Sequence, residues 1–380
     1  MAPEDVRRVF RHRRRHQVAR AGQHPLEAAL KHEQKARRWL PRLNPSTMVN
    51  DSPHVVILGA GASEATMRHG NPSAQPIPVM NELVNHLELP EELPAEWRKL
   101  LGANFESAYA DLAADAGFHL AAASIRQQLR GYFERLRLPE RVTLYDELVV
   151  SLRPKDLIAT FNWDPLLLQA IHRNCLSSPP PQVVFLHGNV GIGACLQDRQ
   201  LGTRGVLCPG CRKPLEPVEL LYPVRHKDYD SAPVIKNEWS KFRETLSRAY
   251  MVTVFGYSAP VTDAVARDAM LGTWRTNGTR ELAQIEIIDI RPARQVQKTW
   301  RDLVVRNHSV VWRRLSSSHI LRFPRRSCDA FAMASLQCAP WYDNPLPRFR
   351  QLDQLHRWLE PLLEEEARGQ FSGQPHRRRG

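Results

Sequence analysis

Five short apolar runs, each closing on a small or polar residue, constrain this chain more than any other feature. Residues 54–58 run into Gly59, 156–161 into Asn162, 182–186 into His187, 250–255 into Gly256 and 284–288 into Asp289. Between them lie longer stretches, among them 83–87, 105–136, 142–152, 165–173, 234–249, 262–275 and 292–304, with apolar residues at three- and four-residue steps. That spacing predicts helices. A further strand is expected at 309–312 and an acidic helix at 352–368. Strands that alternate with helices build a parallel sheet covered on both faces. The expected class is α/β: a Rossmann-like parallel sheet with helices on both faces and a small irregular Cys-bearing insertion.

Composition narrows the choices. Of 380 residues, 42% are hydrophobic, enough for a real core. No apolar run approaches the ~20 residues of a membrane helix, and the amino-terminal segment has no secretory apolar stretch. No membrane partner and a cytoplasmic location are therefore expected. The formal charge is +13, of which residues 1–47 carry +8 from ten Arg, two Lys and four acids. The remaining +5 does not call for nucleic acid, so the basic leader is the one segment expected to attract it. The blander reading of that leader is a disordered or loosely helical extension. Met48, just before the first strand, reads as the natural start. Three regions are expected: the leader at 1–47, a main domain at 48–319 with an insertion at 188–230, and a helical extension with a polar tail at 320–380. That extension is expected to dock on the main domain or on a second subunit, so a homo-oligomer stays open.

In an open parallel sheet, ligands bind beyond the carboxyl ends of the strands. The five closing residues thus describe one rim. Gly59-Ala60-Gly61-Ala62-Ser63 lets the chain turn tightly and lets a diphosphate approach backbone amides. By itself it reads equally as a simple turn, since Glu64 stands where a dinucleotide fingerprint has its third Gly. Asn162, in Thr160-Phe161-Asn162-Trp163-Asp164, reads alone as a turn or cap residue. His187, before Gly188, can be a satisfied loop histidine or a base that titrates near neutrality. In Gly256-Tyr257-Ser258-Ala259-Pro260, followed by Asp263, Gly256 gives room for a ligand, and Ser258 can donate to a phosphate or cap a helix. Asp289 closes its strand as ribose-binding carboxylates do, or caps the helix that follows.

Cysteines 175, 195, 208, 211, 328 and 338 read as thiols or metal ligands rather than disulfides. Cys208-Pro209-Gly210-Cys211 has the spacing of a tetrahedral zinc knuckle. Cys195 and His226 are the nearest candidates for the other two ligands, and a metal-free remnant is the alternative.

Taken in order, the glycine motif, Thr160-x-Asn162-x-Asp164, His187-Gly188 and Gly256-x-Ser258 resemble the SIR2 (sirtuin-related) family, over roughly residues 55–289. The run Gly256–Asp263 and the Pro223-x-x-x-Lys227 segment ahead of Trp239 are similar to the bacterial SIR2-like group. Many members of that group hydrolyse NAD, and several act against phage. The resemblance implies NAD as ligand or substrate, with Gly59, Ala60, Gly61, Ala62, Ser63, Gly256, Ser258, Asp263 and Asp289 holding it. It implies Asn162 on the ribose hydroxyls and water, Asp164 on the carboxamide, and His187 as the proton acceptor. Two departures bear on the reaction. Deacylating sirtuins carry Gly-x-Pro-Asp-Phe-Arg where this chain has Arg68-His69-Gly70-Asn71-Pro72, and two Cys-x-x-Cys pairs where this chain has one. Both favour cleavage of NAD to nicotinamide and ADP-ribose over deacylation. A protein deacylase and a non-catalytic NAD or ADP-ribose sensor are the alternatives.

Overall fold

The strand runs are β-branched and apolar on both sides, the pattern of strands buried on two faces. In the computed structural model, which describes residues 51–70, 77–78, 80–222, 232–259, 263–304, 308–369 and 371, they form the expected sheet. The leader, Met48, His226 and the Pro223-to-Lys227 segment lie outside the described residues.

Strand β1 (His54–Leu58) leads into helix α1 (Ala60–Arg68). Helices α2 (Met80–Leu83), α3 (Ala95–Ala103), α4 (Phe105–Ala114), α5 (His119–Glu134) and α6 (Leu144–Ser151) follow. Next come β2 (Leu157–Thr160), α7 (Leu166–Asn174) and β3 (Gln182–Phe185). Strands β4 (Ile192–Cys195), β5 (Gln200–Thr203) and β6 (Glu216–Pro217) form a separate antiparallel sheet in the order β5-β4-β6. The chain returns through α8 (Pro233–Leu246), β7 (Met251–Phe255), α9 (Ala264–Arg275), β8 (Gln284–Ile288), α10 (Ala293–Thr299) and β9 (Ser309–Trp312). It ends with α11 (His319–Arg322), α12 (Ser327–Ser335) and α13 (Leu352–Arg368).

The main sheet has six parallel strands in the order β3-β2-β1-β7-β8-β9. Strand order reverses between β1 and β7, which opens a crevice at their carboxyl ends. Register aligns Leu58 with Thr160 and Phe255, Thr160 with Phe185, Phe255 with Ile288, and Ile288 with Trp312. One step further, Phe161, Gly59, Gly256, Asp289 and Arg313 follow as a row along a single edge.

Alternation along β1 sets the layers, because successive side chains point to opposite faces. Val55 and Ile57 pack with Trp239, Phe242, Trp274 and Trp300 from the α8–α10 side. Val56 and Leu58 pack with Tyr145, Leu148, Leu166 and Ile320. A third cluster joins Leu101, Phe105, Tyr109, Ile125 and Leu129 of α3–α5 to Trp163 and Leu220.

Two expectations change in detail. The stretch 105–136 is two helices, not one. Asp115 ends the first and its carboxylate accepts from Gly117 N at 2.8 Å. The insertion, expected to be irregular, contains the small β4–β6 sheet. The terminal helix α13 docks on the main domain. Leu355, Leu359 and Leu362 meet Val142 and Val150, and Arg326 Nη1 lies 3.2 Å from Glu365. Arg325 binds Glu366 and donates to the carbonyls of Val150 and Leu152. No helix among the described residues is long and apolar enough to cross a membrane.

Under the sheet, the ring of His54 shares 2.8 Å hydrogen bonds with Ser327 Oγ and Thr253 Oγ1. Burial pushes this imidazole down from 6.5 to about 4. Neighbouring Glu286 is buried too, which works against its charge. Hydrogen bonds from His319 and Trp312 nonetheless hold it below the usual carboxylate range. Both shifts have one sign: the unfolded chain takes up protons that the folded chain refuses. Stability is therefore expected to fall as pH drops from 6.5 toward 4, with roughly 3 kcal/mol from His54 in the limit. Denaturant titrations across that range check this. His54→Gln should flatten the slope, and an unchanged slope would assign it to other groups.

Candidate active site

The crevice at the switch point holds a cavity of about 930 Å³. Gly59, Ala60, Gly61, Ser63, Asn162, Asp164, His187, Gly256, Ser258, Asp263 and Asp289 all line it, so the rim residues from all five strand ends converge on one space. Ala62 is buried beneath the lining.

Two turns interlock at its floor. Gly59 N donates to Phe255 O at 3.1 Å, and Gly61 N to Gly256 O at 3.0 Å. Gly256 has φ +63°, and a Cβ there would stand 2.2 Å from Ala62 N. A Cβ on Gly59 would meet Tyr257 Cα at 2.6 Å. The glycines are thus required by this backbone contact, and the contact aims the amino end of α1 at the cavity. Gly61 N and Ala62 N are taken by Gly256 O and Gly59 O, so what this helix start offers an anion is chiefly the positive end of its dipole.

Asn162 fastens a third chain segment to the turn. Its Nδ2 donates to Gly59 O and Ser63 Oγ, both at 2.9 Å. Ser63 Oγ donates to Asp164 Oδ2 at 2.7 Å and lies 2.7 Å from Tyr145 OH. Asp164 Oδ1 accepts from Leu166 N at 3.1 Å. Burial pushes the Asp164 carboxyl above its ordinary range, with Ser63 opposing the rise. Burial also raises the Tyr145 phenol, and the Asp164 charge adds to it. Ser63 and Asp164 therefore spend hydrogen bonds on each other rather than holding them open toward the cavity. Tyr145 was not singled out by sequence, because it lies in the first turn of an apolar helix and reads as core.

His187 is buried, with Nε2 3.8 Å from Asp263 Oδ1. Its ring meets Phe161 edge-on at 4.8 Å, and Phe161 stacks on Tyr257 at 4.2 Å. Tyr257 OH donates to Asp263 Oδ2 at 3.1 Å. A titratable ring, a carboxylate and an aromatic wall thus share one corner. Asp289 stands at the other end, where Arg291 grips it. Arg291 Nη2 reaches Oδ2 at 2.6 Å, Nε reaches Oδ2 at 2.9 Å, and the Arg291 main-chain N–H reaches Oδ1 at 2.8 Å.

Away from the cavity, Cys195, Asp198, Cys208 and Cys211 bring their ligand atoms within 4.8 Å of one another. Asp198 joins the three sulfurs, and His226, the sequence candidate for a fourth ligand, lies outside the described residues. Asp198 Oδ2 lies 3.1 Å from Cys208 Sγ and 3.5 Å from Cys195 Sγ, and Cys195 Sγ lies 3.6 Å from Cys211 Sγ. Three sulfurs and one carboxylate are a donor set that suits zinc in a closed structural site. Asp198 follows Cys195 by three residues, a spacing that could have flagged it.

Together the parallel sheet, its switch-point crevice and the glycine interlock define a Rossmann-like architecture. Among solved structures, the chain is similar to one described as the structural basis of sirtuin substrate affinity, at 18% identity over 72% of this chain and 94% of that one, TM-score 0.36. It is also similar to Sir2 with p53 peptide and NAD+, at 17% identity over 77% and 95%, TM-score 0.34. A third is Sir2 bound to acetylated peptide, at 16% identity over 77% and 95%, TM-score 0.33. No protein-family model and no curated protein sequence matches the chain.

Two outcomes follow from this geometry. Metal analysis of the purified protein should find about one zinc per chain, and Asp198→Ala should lower that occupancy and expose thiols to a thiol reagent. Zinc-free protein with unreactive thiols would end the assignment. Gly256→Ala should cost several kcal/mol, about 2 or more, because a Cβ there collides with backbone in a left-handed conformation. A melting curve matching wild type would contradict the interlock.

Proposed function

We propose that the cavity takes NAD and that the protein cleaves its nicotinamide–ribose bond with water as acceptor. The observation that carries this reading is the meeting of the glycine turn, Asn162 and His187 in one cavity at the switch point. The diphosphate lies against the amides at the start of α1. The adenosine lies toward Asp289, and the nicotinamide ribose toward His187.

The reaction breaks the bond between the ribose anomeric carbon and the nicotinamide nitrogen, and the electron pair leaves with the ring. Positive charge builds on the ribose, and a water oxygen bonds to the anomeric carbon. His187 takes the proton, and Asp263, 3.8 Å from Nε2, faces the charge that the proton brings. The stacked pair Phe161–Tyr257 holds that imidazole in place and keeps bulk water from its flank. Asn162 acts chiefly by fixing the glycine turn, since its amide nitrogen already serves Gly59 and Ser63. Asp164 and Ser63 support that same turn from beneath.

The test is incubation of the full chain with NAD and no peptide, with nicotinamide and ADP-ribose followed by chromatography. His187→Ala should lower turnover about a hundredfold or more. Asn162→Ala should lower turnover and also the melting temperature. Turnover unaffected by His187→Ala would remove the residue from its role. Turnover that needs an acyl-lysine peptide would move the acceptor from water to peptide.

A further inference from the structure

The cavity holds a second pairing of an imidazole with a carboxylate, and the reaction above makes no use of it. His69 Nε2 lies 3.4 Å from Glu147 Oε1, and both residues line the cavity. His69 caps the carboxyl end of α1, in the stretch that departs from the deacylase pattern. Glu147 sits in the first turn of α6. Arg141, just ahead of α6, ties the two ends together by donating to the carbonyls of Met67 and His69 at 3.1 and 2.8 Å.

Glu147 is unlike the acid before it. Asp146 is spent on structure, since its oxygens accept from Thr143 N at 2.7 Å, Arg173 Nε at 2.6 Å and Asn174 Nδ2 at 2.8 Å. The Glu147 side chain is only 5% exposed, yet among the described residues its carboxylate meets no polar partner but His69. Glu64 and Arg68 of α1 also line the cavity, and they pair with each other at 3.2 Å. A buried carboxylate short of hydrogen-bond donors is costly. Its place on a cavity wall points to a ligand that brings the donors.

Topology says which part of a dinucleotide that is. Tyr145, two residues before Glu147, packs against Val56 and Leu58, and its OH accepts from Asn162 Nδ2 at 3.3 Å. Phe161 and Tyr257, which wall in His187, pack with Val55 and Ile57 on the other face of the sheet. The two imidazole–carboxylate pairs thus belong to elements on opposite faces. Water that displaces a group from an anomeric carbon enters opposite that group. With His187 at the water, the nicotinamide falls on the α6 side. Its carboxamide carries an NH2 group that donates. Asp164, expected to hold the carboxamide, is already hydrogen-bonded at both oxygens.

We propose that Glu147 accepts from the carboxamide NH2 of nicotinamide and that His69 holds the Glu147 carboxylate in position. The pair then selects the amide form of the dinucleotide over its nicotinic acid form, whose carboxylate would face that of Glu147. This rests on the reading that the cavity takes NAD.

The test is calorimetry on the full chain carrying His187→Ala, which spares the probes from turnover, with ADP-ribose, NAD and nicotinic acid adenine dinucleotide. NAD should bind about a hundredfold tighter than its acid form. Adding Glu147→Gln should bring that ratio below about ten, and His69→Gln should lower it by a smaller factor. ADP-ribose, which lacks the ring, should bind all three proteins alike. Equal affinities for NAD and its acid form in the His187→Ala parent, or a ratio that Glu147→Gln leaves unchanged, would overturn the carboxamide role while ADP-ribose binding keeps the dinucleotide reading. An ADP-ribose affinity that falls as far as that for NAD in Glu147→Gln would make the residue structural and overturn the proposal. Failure of the parent to bind any of the three probes would overturn both readings.

Discussion

The contact on which the site depends is between two turns with almost no side chains. Gly59 and Gly61 after β1 meet Gly256 and Tyr257 after β7, with two main-chain hydrogen bonds and room for no Cβ at Gly256. These turns lie on the two sides of the switch point. Joining them fixes how wide the crevice opens and where the amides of α1 face. A larger residue at any of these positions would push apart the two halves of the sheet edge, not merely alter a loop.

A buried polar cluster holds that contact from below. Asn162, Ser63, Tyr145 and Asp164 are all buried and hydrogen-bonded to one another. Such a cluster is stable only when its members are satisfied, and then it specifies one geometry. The arrangement divides the labour among residues that sequence reading treats alike. Asn162, Ser63 and Asp164 are turned chiefly to structure. His187 with Asp263 stands apart from that cluster, on the cavity wall.

Much of this was legible before any coordinates. Strands at 54–58 and 284–288 fall where β-branched runs end in Gly or Asp, and the strand at 309–312 and the terminal helix at 352–368 also match. These elements are long or sharply punctuated, so local pattern suffices. The β4–β6 sheet was not legible, because strands of two to four residues rich in Gly and polar groups lack periodicity. Convergence of the rim followed from the parallel sheet, since all strands point one way. Partner choice did not follow. That Ser63 turns to Asp164, or that Arg291 grips Asp289, depends on rotamers fixed by packing. Asp198 joining the cysteines depends on the β4–β5 turn, which brings it back over Cys208.

The segment beyond residue 319 shows why domain boundaries drawn from sequence can mislead about sites. Its helices look like an appendage, yet Ile320 and Leu321 belong to the core beneath β1 and β8. Arg325 reaches the carbonyls of Val150 and Leu152, and the Arg325–Glu366 and Arg326–Glu365 pairs tie α13 to the same block. The irregular stretch between α12 and α13 is held against Leu321 by the Leu346 N–H, and it carries Leu346 and Arg348 to the cavity wall. Removing the extension would uncover apolar core and strip one arginine from the site. The cavity wall is thus assembled from the ends of β8 and β9 and a segment some thirty-five residues past β9. Only the completed fold brings those three together.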